Sequence, residues 1–194
     1  MTILLTGFEP FGKVSDNPSQ RIVEHFQEVS SDDIVALVLP VDYQLASDKL
    51  LPLIDKYQPD AILLLGVAQM RETISLERIA VNINDASIPD NEGNLKQGQH
   101  IVDNAPVGYW STLPLERMYK AIKAENIPVK YSNHAGAYLC NHVMYSALHH
   151  LTQVERDIPC GFIHVPDVTA VPLDQQIKAI KLCVEVLSQE KITS

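Results

Sequence analysis

Apolar runs and amphipathic stretches alternate from one end of the chain to the other. Residues 2–6 read as a buried strand. Residues 19–27 predict a short helix, with Asn17 as its N-cap and Pro18 in the first turn. Ile34–Leu39 predicts a strand and Tyr43–Tyr57 a helix. Residues 61–65 form a second, fully apolar strand that Gly66 closes. Residues 75–83 are β-like, with Ile79, Val81 and Ile83 alternating after Arg78. Residues 88–94 carry turn chemistry, Ile-Pro-Asp-Asn-Glu-Gly-Asn. Leu115–Ala124 is helical and residues 129–132 a short strand. Residues 136–151 predict a helix whose apolar stripe is Leu139, Val143, Met144, Ala147 and Leu148. Residues 161–165 are a last strand, and residues 174–187 a closing helix with Ile177, Ile180, Val184 and Leu187 inward.

This alternation predicts a single three-layer α/β/α domain over residues 1–194, with a largely parallel, mixed central sheet. No repeat, low-complexity segment or linker interrupts it. Ligand sites in such sheets gather at strand ends, and Gly7, Gly66, Asn133 and His164 stand at such junctions.

Composition narrows the function classes. At 194 residues the chain can bury one real core, roughly 70% of its unfolded surface. A net charge of −9 without a basic cluster argues against a nucleic-acid partner. No apolar run approaches the ~20 residues of a membrane span. The first residues lack the basic n-region of a signal peptide, so a cytoplasmic protein is expected. Cys140, Cys160 and Cys183 are odd in number and widely spaced, with no C-x-x-C pair. That is no disulfide framework, and a reducing compartment keeps thiols free.

One thiol invites chemistry. Cys140 lies where the polar, glycine-containing stretch Ser132-Asn133-His134-Ala135-Gly136 gives way to a helical pattern. Amide dipoles in a first helical turn favour a thiolate or a developing oxyanion. The same residue also reads as one more buried thiol. His164 is a lone polar residue in an apolar strand, either a buried neutral imidazole or a general base at the strand end. Glu77 and Arg78 are adjacent on a strand and point to opposite faces, so one of them must face inward or toward a cleft. A carboxylate there could orient an imidazole and stabilise its cation. His134 and His142 lie near Cys140 at no recognisable metal spacing; side chains two apart on a helix do not face each other.

Residues 7–14, Gly-Phe-Glu-Pro-Phe-Gly-Lys-Val, nearly spell a phosphate loop. Val14 lacks the magnesium-binding hydroxyl, and Glu9 would repel phosphate. A better reading is a strand-end loop whose Phe8 and Phe11 present flat faces to an apolar group, or simply fill the core.

Taken together and in this order, these stretches resemble the pyroglutamyl peptidase I (pyrrolidone-carboxylate peptidase) family. The resemblance runs over nearly the whole chain. It rests on residues 5–12 and 17–19, on Glu77-Arg78-Ile79-Ala80-Val81-Asn82, on residues 88–93, on residues 135–141 and on Gly161-Phe162-Ile163-His164-Val165-Pro166. It implies a cytosolic cysteine peptidase that removes an N-terminal pyroglutamyl residue from peptides, without metal or organic cofactor. It implies a Glu-Cys-His triad of Glu77, Cys140 and His164, and a homo-oligomer, dimer or tetramer. It places Phe8, Phe11, Asn17, Val67, Ile88, Tyr138 and Leu139 at the substrate. The alternatives are a catalytically altered relative that binds a small lactam or peptide terminus, and a nucleotide- or phosphate-binding α/β protein.

Several positions depart from the family pattern. Gln69 and Met70 stand where a small residue or proline and then glycine are usual. Ser87 stands where relatives usually carry arginine, and His134 where they carry a small residue. The segment from Asp167 to Pro172 is short. All lie around the triad positions rather than on them.

Overall fold

The computed structural model describes residues 1–12, 16–29 and 33–190. Lys13 and Val14 of the phosphate-loop reading lie outside the described residues. The elements run β1 (Ile3–Phe8), α1 (Pro18–Glu28), β2 (Ile34–Leu39), α2 (Tyr43–Tyr57), β3 (Ala61–Val67), β4 (Ile74–Val81), β5 (Gly108–Trp110), α3 (Leu115–Ala124), β6 (Val129–His134), α4 (Leu139–Gln153), β7 (Cys160–Val165) and α5 (Leu173–Glu190).

The strands form one 7-stranded sheet, ordered β2-β1-β3-β7-β4-β5, with β6 on the other edge of β4. β1, β2, β3 and β7 pair in parallel, as do β4 and β6. β4 runs antiparallel to β7 and to β5, so the sheet is mixed. β1, β3 and β7 are buried on both faces, which is why they read as continuous apolar runs.

Alternate side chains feed two cores. Leu5, Leu63, Leu65 and Ile163 pack with Ile22, Met118 and Ile180 of α1, α3 and α5. Leu4, Leu64 and Phe162 pack with Leu50, Ile54, Val143 and Met144 of α2 and α4. This gives the three layers. No helix among the described residues is long and apolar enough to cross a membrane.

Four details differ from the sequence reading. Gly66 lies inside β3 rather than closing it. β4 stops at Val81, where the buried Asn141 side chain accepts from the Val81 N–H and donates to the carbonyls of Val81 and Ile83. The short β5 has no counterpart in the sequence pattern, because three residues are too few for a period to show. Helix α4 begins at Leu139 and not at residue 136. Gly136 has φ +83°, a left-handed conformation that cannot continue into a right-handed helix.

Candidate active site

Strand register builds the first pair. Ser75 on β4 stands opposite His164 on β7. Side chains two apart on a strand share a face, so Glu77 is the diagonal neighbour of His164. The Nδ1 of His164 lies 2.7 Å from Glu77 Oε1. The same oxygen accepts from Arg71 Nη1 at 2.5 Å. Glu77 is completely buried and His164 almost so. Arg78 points to the opposite face, 4.5 Å from the centroid of the Tyr131 ring, and donates to Asn133. The opposed Glu77 and Arg78 are therefore resolved: the carboxylate is the inward one.

Burial alone would raise the Glu77 carboxyl. The hydrogen bond and charge of His164 outweigh it, with help from Ser132 and Arg71, and hold it below its ordinary value. Burial drives His164 the other way, below the ordinary histidine value; Glu77 opposes this and Arg71 adds to it. The pair is thus an ionised carboxylate holding a neutral imidazole. An ionised carboxylate can only accept, so Nδ1 carries the proton and Nε2 has a free lone pair.

The thiol comes from the layer above. Tyr138 is the N-cap of α4, in extended backbone at φ −103° and ψ −161°, which makes Cys140 the second helical residue. Its Sγ packs against the glycine face of β3: a Cβ on Gly66 would stand 2.8 Å from it. Of the two roles open to the first-turn amides, favouring a thiolate or a developing oxyanion, the resting site does not support the thiolate. Burial pushes the thiol up to about 12 and the Glu77 charge adds to this; Arg71 and the Cys140 amide pull only partly back. Among the described residues no hydrogen bond joins Sγ to the imidazole. Both groups face one cavity.

That cavity measures about 160 Å³ and is lined by Phe8, Phe11, Asn17, Val41, Val67, Ala135, Tyr138, Leu139, Cys140 and His164. It is smaller than the ~300 Å³ at which drug-sized ligand pockets begin, so it suits one small terminal group. Phe8, Phe11, Asn17, Val67, Tyr138 and Leu139 of the expected substrate residues line it; Ile88 does not, and stands 45% exposed on its loop. Phe8 is also core, fully packed at 3% exposure. Asn17 uses its amide to cap α1 through Ser19 and to hold the Glu9 carbonyl. The Phe11 and Tyr138 rings lie 6.1 Å apart, tilted by 51°, and the Tyr138 hydroxyl donates to the Pro89 carbonyl.

The aromatic loop is fixed from below. Glu9 Oε1 accepts from the Val41 amide and from Asn91 Nδ2, which also donates to the Pro10 carbonyl. Glu9 is thus a structural acceptor, which no phosphate cradle would use in this way. Asp90 accepts from the amides of Tyr43, Glu92 and Asn94, so residues 90–94 are held on α2. His142 lies away from the cavity between Ser47 and Asn84. Of the departing positions, Gln69, Met70, Ser87 and His134 are all exposed. His134 Nδ1 accepts from the Gly136 amide.

Sequence reasoning missed Arg71, Val41, Ala135 and Asn141. Asn141 did give a signal, as a polar residue at the head of an apolar helix. Arg71 gave little, since an arginine in a loop reads as solvated.

A thiol, a neutral imidazole and a buried carboxylate at the strand ends of an α/β/α domain are the equipment of a cysteine-type hydrolase. The comparisons agree: the chain belongs to the pyroglutamyl peptidase family, whose sequence profile it matches over residues 1–193. It is 45% identical to the pyrrolidone-carboxylate peptidase of Oceanobacillus iheyensis, over 94% of this chain and 96% of that one. It is 38% identical to that of Pyrococcus furiosus, over 98% and 99%. A solved mutant pyrrolidone carboxyl peptidase from Pyrococcus furiosus superposes with a TM-score of 0.94 at 38% identity, over 98% of this chain and 99% of the other. Pyroglutamyl peptidase I of Bacillus amyloliquefaciens gives 0.91 at 35% identity, covering 97% of each chain.

Proposed function

We propose that the protein hydrolyses the amide bond after an N-terminal pyroglutamyl residue of peptides, with Cys140 as nucleophile, His164 as general base and acid, and Glu77 as the carboxylate that orients His164. The observation that carries this reading is the Glu77–His164 hydrogen bond of 2.7 Å beside a thiol-bearing cavity with no acidic lining residue among the described residues. An ordinary amino terminus is an ammonium and would be desolvated there without a counter-charge. A lactam-blocked terminus is neutral and flat, and fits between Phe8, Phe11 and Tyr138.

The steps follow from the protonation states. Because the resting thiol is protonated, its proton moves to His164 Nε2 as Sγ attacks the pyroglutamyl carbonyl. The carbonyl oxygen becomes an oxyanion, stabilised by amides at the start of α4, that of Cys140 first. The imidazolium, held by Glu77, gives its proton to the departing amine and leaves a thioester. Water then gives a proton to His164 and attacks the thioester; the released thiol takes the proton back. These steps call on no metal or organic cofactor.

The same reading places the enzyme in the cytoplasm, where Cys140, Cys160 and Cys183 stay reduced, and assembles it as a dimer or tetramer. Val107, 90% exposed just before the edge strand β5, and Trp110, 69% exposed at its end, support association. The comparisons do not favour the alternative of a non-catalytic lactam binder.

Hydrolysis of a pyroglutamyl chromogenic amide tests the reading. Wild type is expected to turn it over and to be inactivated by thiol alkylation but not by chelators. Cys140→Ala is expected to be inactive. Undiminished turnover in Cys140→Ala would remove the nucleophile; a folded wild type without turnover would favour the binder.

A further inference from the structure

We infer that Arg71 is a positioning residue of the triad: its guanidinium keeps Glu77 ionised, so that His164 always presents a bare Nε2 to the Cys140 thiol. This rests on the assignment of Glu77, Cys140 and His164 above.

The geometry is specific. Glu77 Oε1 is shared between His164 Nδ1 at 2.7 Å and Arg71 Nη1 at 2.5 Å. The carboxylate side chain has 0% exposure, the imidazole 6% and the guanidinium 25%. Arg71 is therefore the charge that links a sealed site to solvent. Its backbone is tied to the strand that carries His164. The Arg71 amide donates to the Ala68 carbonyl, and the Ala68 amide to the carbonyl of Val165, the residue after His164. Gln69 and Met70 form the exposed tip of this turn, so their departure from the family pattern leaves the base of the turn intact.

Charge balance gives the reason. With Arg71 present, the resting site holds one buried anion and one cation. Moving a proton from Cys140 to His164 adds a further opposite pair, and the total stays neutral. Without Arg71 the carboxylate keeps its His164 hydrogen bond but loses the neighbouring cation, and burial then pushes it toward its neutral form. A protonated Glu77 would donate to Nδ1 instead of accepting from it. The imidazole would then take the other tautomer, with a proton on Nε2, and could not receive one from the thiol. The guanidinium also repels a cationic imidazole and attracts a thiolate. While Glu77 stays ionised, loss of the guanidinium raises His164 and Cys140 together, and where Glu77 protonates the competent tautomer is lost; each effect moves the acid limb of activity to higher pH.

The experiment compares Arg71→Met, Arg71→Gln and Arg71→Lys with wild type. Two rates are followed against pH: kcat/KM for the pyroglutamyl amide, and alkylation of Cys140 by iodoacetamide, which needs no substrate binding. Neutral-pH rates about tenfold or more below wild type are expected for Met and Gln. Their acid limb should shift upward and KM should change little, whereas Lys should recover most of the loss. An unmoved acid limb, a loss confined to KM, or a lysine variant as impaired as glutamine would overturn the inference. Should Arg71→Met fail to fold, the Gln and Lys pair decides by the same criteria. If wild type alkylates but does not cleave the amide, the substrate assignment fails, while the shift in the alkylation profile still tests Arg71.

Discussion

Gly66 and Cys140 are in direct contact across the layer boundary. A Cβ on residue 66 would stand 2.8 Å from the Cys140 sulfur and 2.8 Å from Phe162 Cζ, distances that real Cβ atoms do not adopt. Gly66→Ala is therefore expected to push the sulfur off its line and to overpack the sheet. A stability loss of about 1–3 kcal/mol should appear in urea unfolding. The fall in kcat/KM should exceed what that loss explains, because displacing the proposed nucleophile by a fraction of an ångström is costly. A fully active Gly66→Ala enzyme would show that the thiol seat is compliant.

Phe8 and Phe11 divide the work of the aromatic loop. Phe8 is 3% exposed and belongs to the α2–α4 core, whereas Phe11 is only partly buried and lines the cavity. Phe11→Ala is expected to raise KM several-fold with little change in the urea midpoint. Phe8→Ala is expected to cost about 3–5 kcal/mol, as removal of a buried phenyl ring does. Paired KM and unfolding measurements check the division; equal stability losses in the two variants would refute it.

His142 makes stability depend on pH. Burial, followed by the charge of Lys96, lowers its pKa to about 4, and the ring lies between Ser47 and Asn84. A histidine unfolded in water titrates near 6.5. Between those values the unfolded chain binds the extra proton and the folded one does not. The contribution is thus fully present above about 6.5 and lost as pH falls toward 4. A depression of that size corresponds to about 3 kcal/mol. Urea titrations at pH 7 and pH 4 should show the fall, and His142→Gln should reduce it. An identical pH slope in the variant would assign the effect to other groups.

How much could be read beforehand depended on whether a feature is local. The parallel strands were legible because burial on both faces leaves only apolar residues, as in the β3 run Ala61-Ile62-Leu63-Leu64-Leu65. Adjacency to Arg78 showed that one of the two charges must turn inward, but not which; the burial of Glu77 decides it. Its bond to His164 joins residues 87 apart, and only the β4–β7 register sets it. The start of α4 was misplaced because the apolar pattern cannot show that Gly136 turns left-handed. Arg71 stayed hidden for a related reason, since nothing in a loop sequence announces a buried acceptor on the next strand.

Glu77 and His164 are rungs of the central sheet, while the exposed residues Gln69, Met70 and Ser87 lie outside its strands. A rung moves only when the sheet itself opens. Side chains on those loops can therefore change without shifting the line along which the sheet aims the proposed base.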